Sequence, residues 1–360
     1  MDLCEETVMP TLEKQTVAIL EDLERRLDSV VEDNLNAQWE AFLCDRFEGD
    51  LFTPQRTAVT QPGLSLPQIH INDAIGNVEL MLLSQLADAS WALSTRTANS
   101  CIRANYGTGI LSSLFGAEVY VMPRDMHTLP TTRQLGTTNS IRAILDQGIP
   151  SLTGGLGQRV FDFAELCREV FSPYPLVQKY VTLYHPDVQG PLDIAELLWG
   201  GEMFYAMYDE PELVHGLLDL VSNTYTAFLE KWFQLYPDQS KINCHWNHLR
   251  FSGHILLRDD SAMNLTPQFY EEYALPYDAR LLAHFGGGAV HFCGRGDHYI
   301  EKLCTIPHLT GINMTQPELN NMETIYRFTV DRGIKLLGFS REYAHKSLSR
   351  PGGLNHNVHC

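Results

Sequence analysis

Residues 286–294 read Gly-Gly-Gly-Ala-Val-His-Phe-Cys-Gly. A glycine turn leads into a short apolar run that ends with His291 and Cys293. Side chains two apart on a β-strand point to the same face, so His-x-Cys at a strand end sends an imidazole and a thiol into one pocket. These are borderline and soft donors of the kind that hold Zn²⁺. The structural alternative is a buried cysteine beside a hydrogen-bonded core histidine, since two donors alone do not make a metal site. Gly294, directly after the pair, leaves the backbone open to a ligand.

Such a pair needs a strand to carry it and further strands to bring partners. Short apolar runs at 101–105, 117–122, 180–185, 241–246, 254–257, 289–293, 309–314 and 334–339 read as strands, with helical stretches such as 211–235 and 267–285 between several of them. Thr266 as N-cap and Pro267 in the first turn give the last of these helices a start. Strands alternating with helices imply a parallel sheet, and about eight such units imply a (β/α)₈ TIM barrel within the α/β class. A doubly wound open sheet would carry Gly-x-Gly-x-x-Gly after its first strand; Gly154, Gly155 and Gly157 do not match that spacing. Upstream, 5–45 and 78–92 read as helices, with Ile19, Leu20, Leu23 and Leu27 in the first and Leu80, Leu83, Leu86 and Trp91 in the second. The expected organisation is an N-terminal α-helical extension over 1–95, a barrel over 96–345 and a tail over 346–360.

In a barrel, function gathers at the C-terminal ends of the strands. Asn105 and Tyr106, His185 and Asp187, His245, Asp259 and Asp260, and Asn313 and Gln316 all fall at such ends. Asp187, Asp259 and Asp260 are candidate acid–base groups, and the others are candidate substrate contacts. Each has a plainer reading as a cap or turn residue; six strand ends meeting on one rim favour an enzyme. Asp259 and Asp260 are adjacent, so on an extended strand only one faces the barrel axis. His245 and His248 would lie on opposite faces if that stretch is extended, which argues against a metal pair.

The net charge of −18 argues against a nucleic-acid partner or an anionic membrane surface. No apolar stretch reaches the length of a membrane span, and the start, Met-Asp-Leu-Cys-Glu-Glu, lacks the features of a signal peptide. Eight scattered cysteines suit reduced thiols better than a disulfide framework, so the expected location is cytoplasmic.

Four stretches, Asp187-Val-Gln-Gly-Pro-Leu-Asp193, Asp259-Asp-Ser-Ala-Met-Asn-Leu-Thr-Pro267, Leu275-Pro-Tyr277 and His291-Phe-Cys-Gly294, occur in the order and setting of the uroporphyrinogen decarboxylase superfamily, which the chain resembles over roughly 101–339. The resemblance implies a (β/α)₈ barrel. It also brings in the zinc-dependent methyltransferases that move methyl groups from corrinoid proteins to thiols, with cobalamin-independent methionine synthase a more distant member. True decarboxylases carry an N-terminal Arg-Gln-Ala-Gly-Arg-Tyr stretch that holds porphyrinogen carboxylates, and residues 1–60 contain nothing of that kind. In the methyltransferase branch His-x-Cys and a later Cys bind Zn²⁺, which deprotonates a substrate thiol at an open fourth position. The resemblance makes His291 and Cys293 two of these ligands. The strand over 334–339 lacks the later Cys, which leaves Cys360 in the tail, with His359 and Glu318 as substitutes; Cys304 falls in a helix. The leading expectation is a methyltransferase acting on a zinc-activated thiol with a corrinoid protein as partner. The alternatives are decarboxylation of a tetrapyrrole polyacid, and a non-catalytic barrel that binds a small molecule or a corrinoid protein.

Overall fold

The computed structural model describes residues 11–237 and 240–360. The expected first helix is two helices, α1 (Leu12–Arg26) and α2 (Ser29–Leu43), and its residues 5–10 lie outside the described part. The break has a local cause. Leu27 is extended, and the Asp28 carboxylate accepts from the Val30 and Val31 N–H groups, starting a new helix. Two more helices, α3 (Ile71–Gly76) and α4 (Val78–Ala92), follow. α1 lies on α4, and its Ile19, Leu20 and Leu23 belong to the same continuous core as the sheet strands. Trp91 departs from the expected apolar side of α4 and is 54% exposed.

Ten short strands follow: β1 (Cys101–Ile102), β2 (Val119–Tyr120), β3 (Thr131–Thr132), β4 (Thr182–Leu183), β5 (Ile242–His245), β6 (Leu249–Ser252), β7 (Ile255–Arg258), β8 (Gly288–Phe292), β9 (Leu309–Met314) and β10 (Lys335–Leu336). β10, β9, β8 and β7 form one parallel sheet in that order, and β1 pairs in parallel with β4. Two bonds tie the segment after β4 to the free edge of β7. The Leu256 N–H donates to His185 Nε2 at 3.0 Å, and the Gly190 N–H donates to the Arg258 carbonyl at 2.8 Å.

Two expected barrel strands take other places, so the described pairings do not close an eight-stranded barrel. The run at 117–122 supplies β2, which pairs antiparallel with β3. The run at 241–246 supplies β5, half of an antiparallel hairpin with β6 whose turn holds Trp246 at φ 51°. β6 alternates buried Leu249 and Phe251 with half-buried Arg250 and Ser252. Leu249 and Phe251 pack with Leu256, Ala289 and Leu337 of the sheet and with Trp39, Phe42 and Phe52 from the N-terminal region. The hairpin therefore covers one face of the sheet. The opposite face, with Leu257, Val290 and Ile312, packs into the main helical core.

Gly253 makes the corner between hairpin and sheet. Its φ is 106°, and a Cβ there would stand 2.3 Å from the Gly287 carbonyl carbon, so a side chain is excluded both by backbone conformation and by space. The tail folds back along β10: Leu336 bridges Val358 and Phe52 bridges His359, both in parallel. Among the described residues no helix is long and apolar enough to cross a membrane.

Candidate metal site and its surroundings

β8 is buried along its whole length between two parallel neighbours, with His291 in register with Arg258 on β7 and Asn313 on β9. His291 and Ala289 share the face covered by the hairpin. The Trp246 ring accordingly meets the His291 ring edge-on, with centroids 5.1 Å apart. Cys293, two residues on, follows the same face past the strand end.

The β7 ladder continues one residue, with the Asp259 N–H donating to the His291 carbonyl at 2.9 Å, and then turns. Asp193, in the first turn of the helix Pro191–Trp199, accepts from the Asp260 and Ser261 N–H groups at 3.1 and 2.7 Å and so fixes where that turn begins. This brings the Asp260 carboxylate to the end of β8. Its Oδ1 accepts from the Cys293 N–H at 2.8 Å and lies 3.4 Å from His291 Nε2. Cys293 Sγ is 3.3 Å from the same nitrogen. Carboxylate, imidazole and thiol thus present one donor atom each, all within 4.8 Å of one another.

Each donor is held from behind. His291 Nδ1 is 2.6 Å from Asn313 Oδ1, and Asn313 Nδ2 donates to the Leu337 carbonyl at 2.6 Å. Asn313 must therefore present its oxygen to His291, which places the ring proton on Nδ1 and turns Nε2 toward Asp260 and Cys293. The Thr315 hydroxyl donates to Gln316 Oε1 at 2.5 Å and places its oxygen 3.3 Å from Cys293 Sγ. Gln316 Oε1 accepts from the Gly294 N–H at 2.6 Å and pins the chain after the cysteine. Without a metal, burial would lower the His291 pKa, but the Asp260 carboxylate and the Cys293 thiol raise it to about 9. Metal binding at neutral pH must then displace a proton from the imidazole.

Asp187 anchors the neighbouring wall. Its Oδ2 takes the Arg103 and Arg258 guanidiniums at 2.5 and 2.8 Å, and its Oδ1 lies 3.6 Å from His245 Nε2. Burial alone would push this carboxyl up, yet His245 and the two arginines hold it well below the usual range. His245 is fully buried, and burial drives its pKa down to about 3 against the pull of Asp187, leaving a neutral ring. Arg258 also reaches Asp260 Oδ2 at 3.6 Å, so a continuous polar chain runs from Asp187 to Asn313. Several of its atoms lack a protein hydrogen-bond partner, among them Arg258 Nε and both His245 nitrogens. A polar substrate or water at the sheet end would satisfy them.

The remaining expected site residues separate. Asp259 is completely buried and faces the helical layer, where it meets Asp278. Tyr106 is buried in the main core near Arg159 and Cys167, away from the metal donors, and Asn105 Oδ1 is buried without a partner. His185 serves the sheet edge, with Nδ1 2.8 Å from the Pro186 carbonyl and Nε2 on the Leu256 N–H. Glu318 is exposed in a short turn. Cys360, expected as the third ligand, is not in the donor group. Its backbone bonds to Phe52 and Thr53, and it lines a separate cavity with His248 and His359. Asp260, and not a second cysteine, is the third member of the donor group. Arg103 and Arg258 escaped sequence reasoning because nothing in their local spacing marks them, and Asp193, the last residue of one stretch of the resemblance, carries no role from its sequence context.

The architecture is a mixed helix-and-strand fold built on parallel sheets. It is similar to that of a methyltransferase from Methanosarcina mazei, with a TM-score of 0.60 and 13% sequence identity over 91% of this chain and 92% of that chain. At such identity the likeness is one of fold. No protein-family model matches the sequence, and no curated protein does.

Proposed function

We propose that this protein is a methyltransferase of the uroporphyrinogen-decarboxylase-like class, in which a zinc ion held by Asp260, His291 and Cys293 activates a thiol. The observation that carries the reading is the convergence of a thiol, an imidazole and a carboxylate at the ends of two adjacent parallel strands. That donor set suits Zn²⁺, and three protein ligands with a position left open are the pattern of catalytic rather than structural sites. Once bound, the metal would supply Lewis acidity that keeps a substrate thiol deprotonated near neutral pH.

The chain's own residues supply the rest. Asn313 fixes the His291 tautomer, Asp193 sets the approach of Asp260, and Thr315 with Gln316 braces the chain beside Cys293. Asp187, Arg103, Arg258 and His245 form a buried polar wall that orients a polar acceptor. A corrinoid protein as methyl donor and a cytoplasmic location belong to the same reading. Decarboxylation of a polyacid is less favoured, because Asp187 already pairs with Arg103 and Arg258. The test is elemental analysis of protein purified without chelator, followed by methyl transfer from methylcobalamin to a small thiol. About one zinc per chain, with methyl transfer lost in Cys293→Ser, is the expected outcome. Absence of zinc together with an unaffected Cys293→Ser variant would overturn the reading.

A further inference from the structure

A second cavity, of about 750 Å³, lies at the other end of the sheet. Thr182 and Ile242, the first residues of β4 and β5, line it, as does His254 just before β7, whereas the metal donors follow the last residues of β7 and β8. Its volume is that of a small-molecule site. Tyr180, Tyr184, Trp232, Phe233 and Tyr236 give it aromatic walls, and Arg250 stands among them.

Arg250 is bonded through Nε to Asn99 Oδ1 at 2.8 Å and through one terminal nitrogen to Asn36 Oδ1 at 2.6 Å. Both acceptors are neutral amides, and no described carboxylate forms an ion pair with it. The nearby acid, Glu32, is committed to Arg56 at 2.6 and 3.0 Å. Glu40, on the cavity rim, pairs with Arg46 at 2.7 Å. The Cys101 thiol does not supply the charge either, since contact with Cys244 and burial push it well above its ordinary value. Burial also lowers the pKa of Arg250 itself. A guanidinium has five N–H donors in a planar fork, and those not spent on Asn36 and Asn99 are suited to an anionic partner. A half-buried cation without a counter-charge is costly, so a cavity built around one favours an anion.

We propose that this cavity binds a small organic anion, with its acidic head on Arg250 and its apolar body against Phe233 and Tyr236. The site is separate from the metal donors and stands whether or not the methyltransferase reading does. Its test is calorimetry and thermal shift on the full chain with phenylacetate as probe, 2-phenylethanol as the uncharged match and inorganic phosphate as the inorganic arm. Phenylacetate should bind saturably, the alcohol about tenfold more weakly or worse, and Arg250→Gln should weaken phenylacetate by about tenfold while metal content stays unchanged. Arg250→Lys, which keeps the charge and loses the fork, should fall between. Should Arg250→Gln fail to fold, the preference of the unaltered protein for acid over alcohol decides the matter. Equal binding of acid and alcohol, phosphate binding as tightly as phenylacetate, or no saturation by phenylacetate up to about 10 mM would each overturn the proposal.

Discussion

The carboxylate of Asp260 completes the candidate donor group with His291 and Cys293. Asp260 is one of a pair of adjacent acids, and nothing in its sequence context separates a ligand from an acid–base group. The structure separates them by face: Asp260 goes to the side of His291, and Asp259 goes to Asp278 in the helical layer. Cys293→Ser and Asp260→Asn should each lower zinc affinity by two orders of magnitude or more, roughly, by removing a donor, whereas Cys360→Ser should leave metal content unchanged. Metal analysis of the three variants checks this, and zinc loss in Cys360→Ser would restore the tail to the ligand set. Asn313→Ala acts through His291 by freeing its tautomer. A loss of about 10- to 100-fold in zinc affinity with an intact circular-dichroism spectrum is expected.

At the scale of elements, the parallel strands were legible and their neighbours were not. The run at 309–314 is β9 residue for residue, and 289–293 overlaps β8 almost completely, because both are short, mostly apolar runs bounded by glycine or polar residues. The run at 241–246 looks no different. It becomes a hairpin because Trp246 adopts a left-handed conformation and the segment after it returns against β5, a pairing that an alternating pattern alone does not specify. The same limit applies to the site. His291 and Cys293 could be read from their spacing, but Asp260, Arg258 and Asp187 come together only through the register of β7 on β8 and the crossing from β4. Gly253 is the point on which this arrangement turns. Gly253→Ala forces a Cβ into backbone at a positive φ and should cost roughly 2–4 kcal/mol, read as a fall in the denaturation midpoint.

Across the whole molecule, buried charge sets how stability responds to pH. Asp278 is fully buried beside Asp259, and burial is the main cause that pushes its pKa up to about 7. In the unfolded chain the same carboxyl titrates near 3.9, so between about pH 4 and pH 7 the folded state keeps a proton that the unfolded state has released, and stability falls as pH rises. Asp278→Asn should flatten that slope and, at pH 8, gain on the order of 1–3 kcal/mol; denaturant titrations at several pH values measure it. A variant with the original slope would place the titrating group elsewhere. The tail clasp bears on a different property. The Thr53 hydroxyl donates to the carbonyl of Cys360, 307 positions later, and His359 lies on Trp39 with ring centroids 4.5 Å apart. Contacts between such distant positions carry the largest loop-closure entropy and form after local structure has condensed. The clasp therefore acts as a latch in time. Truncating His359 to Ala should accelerate unfolding several-fold while leaving the refolding rate nearly unchanged, so the ends of the chain govern how long the native state lasts more than how quickly it is reached.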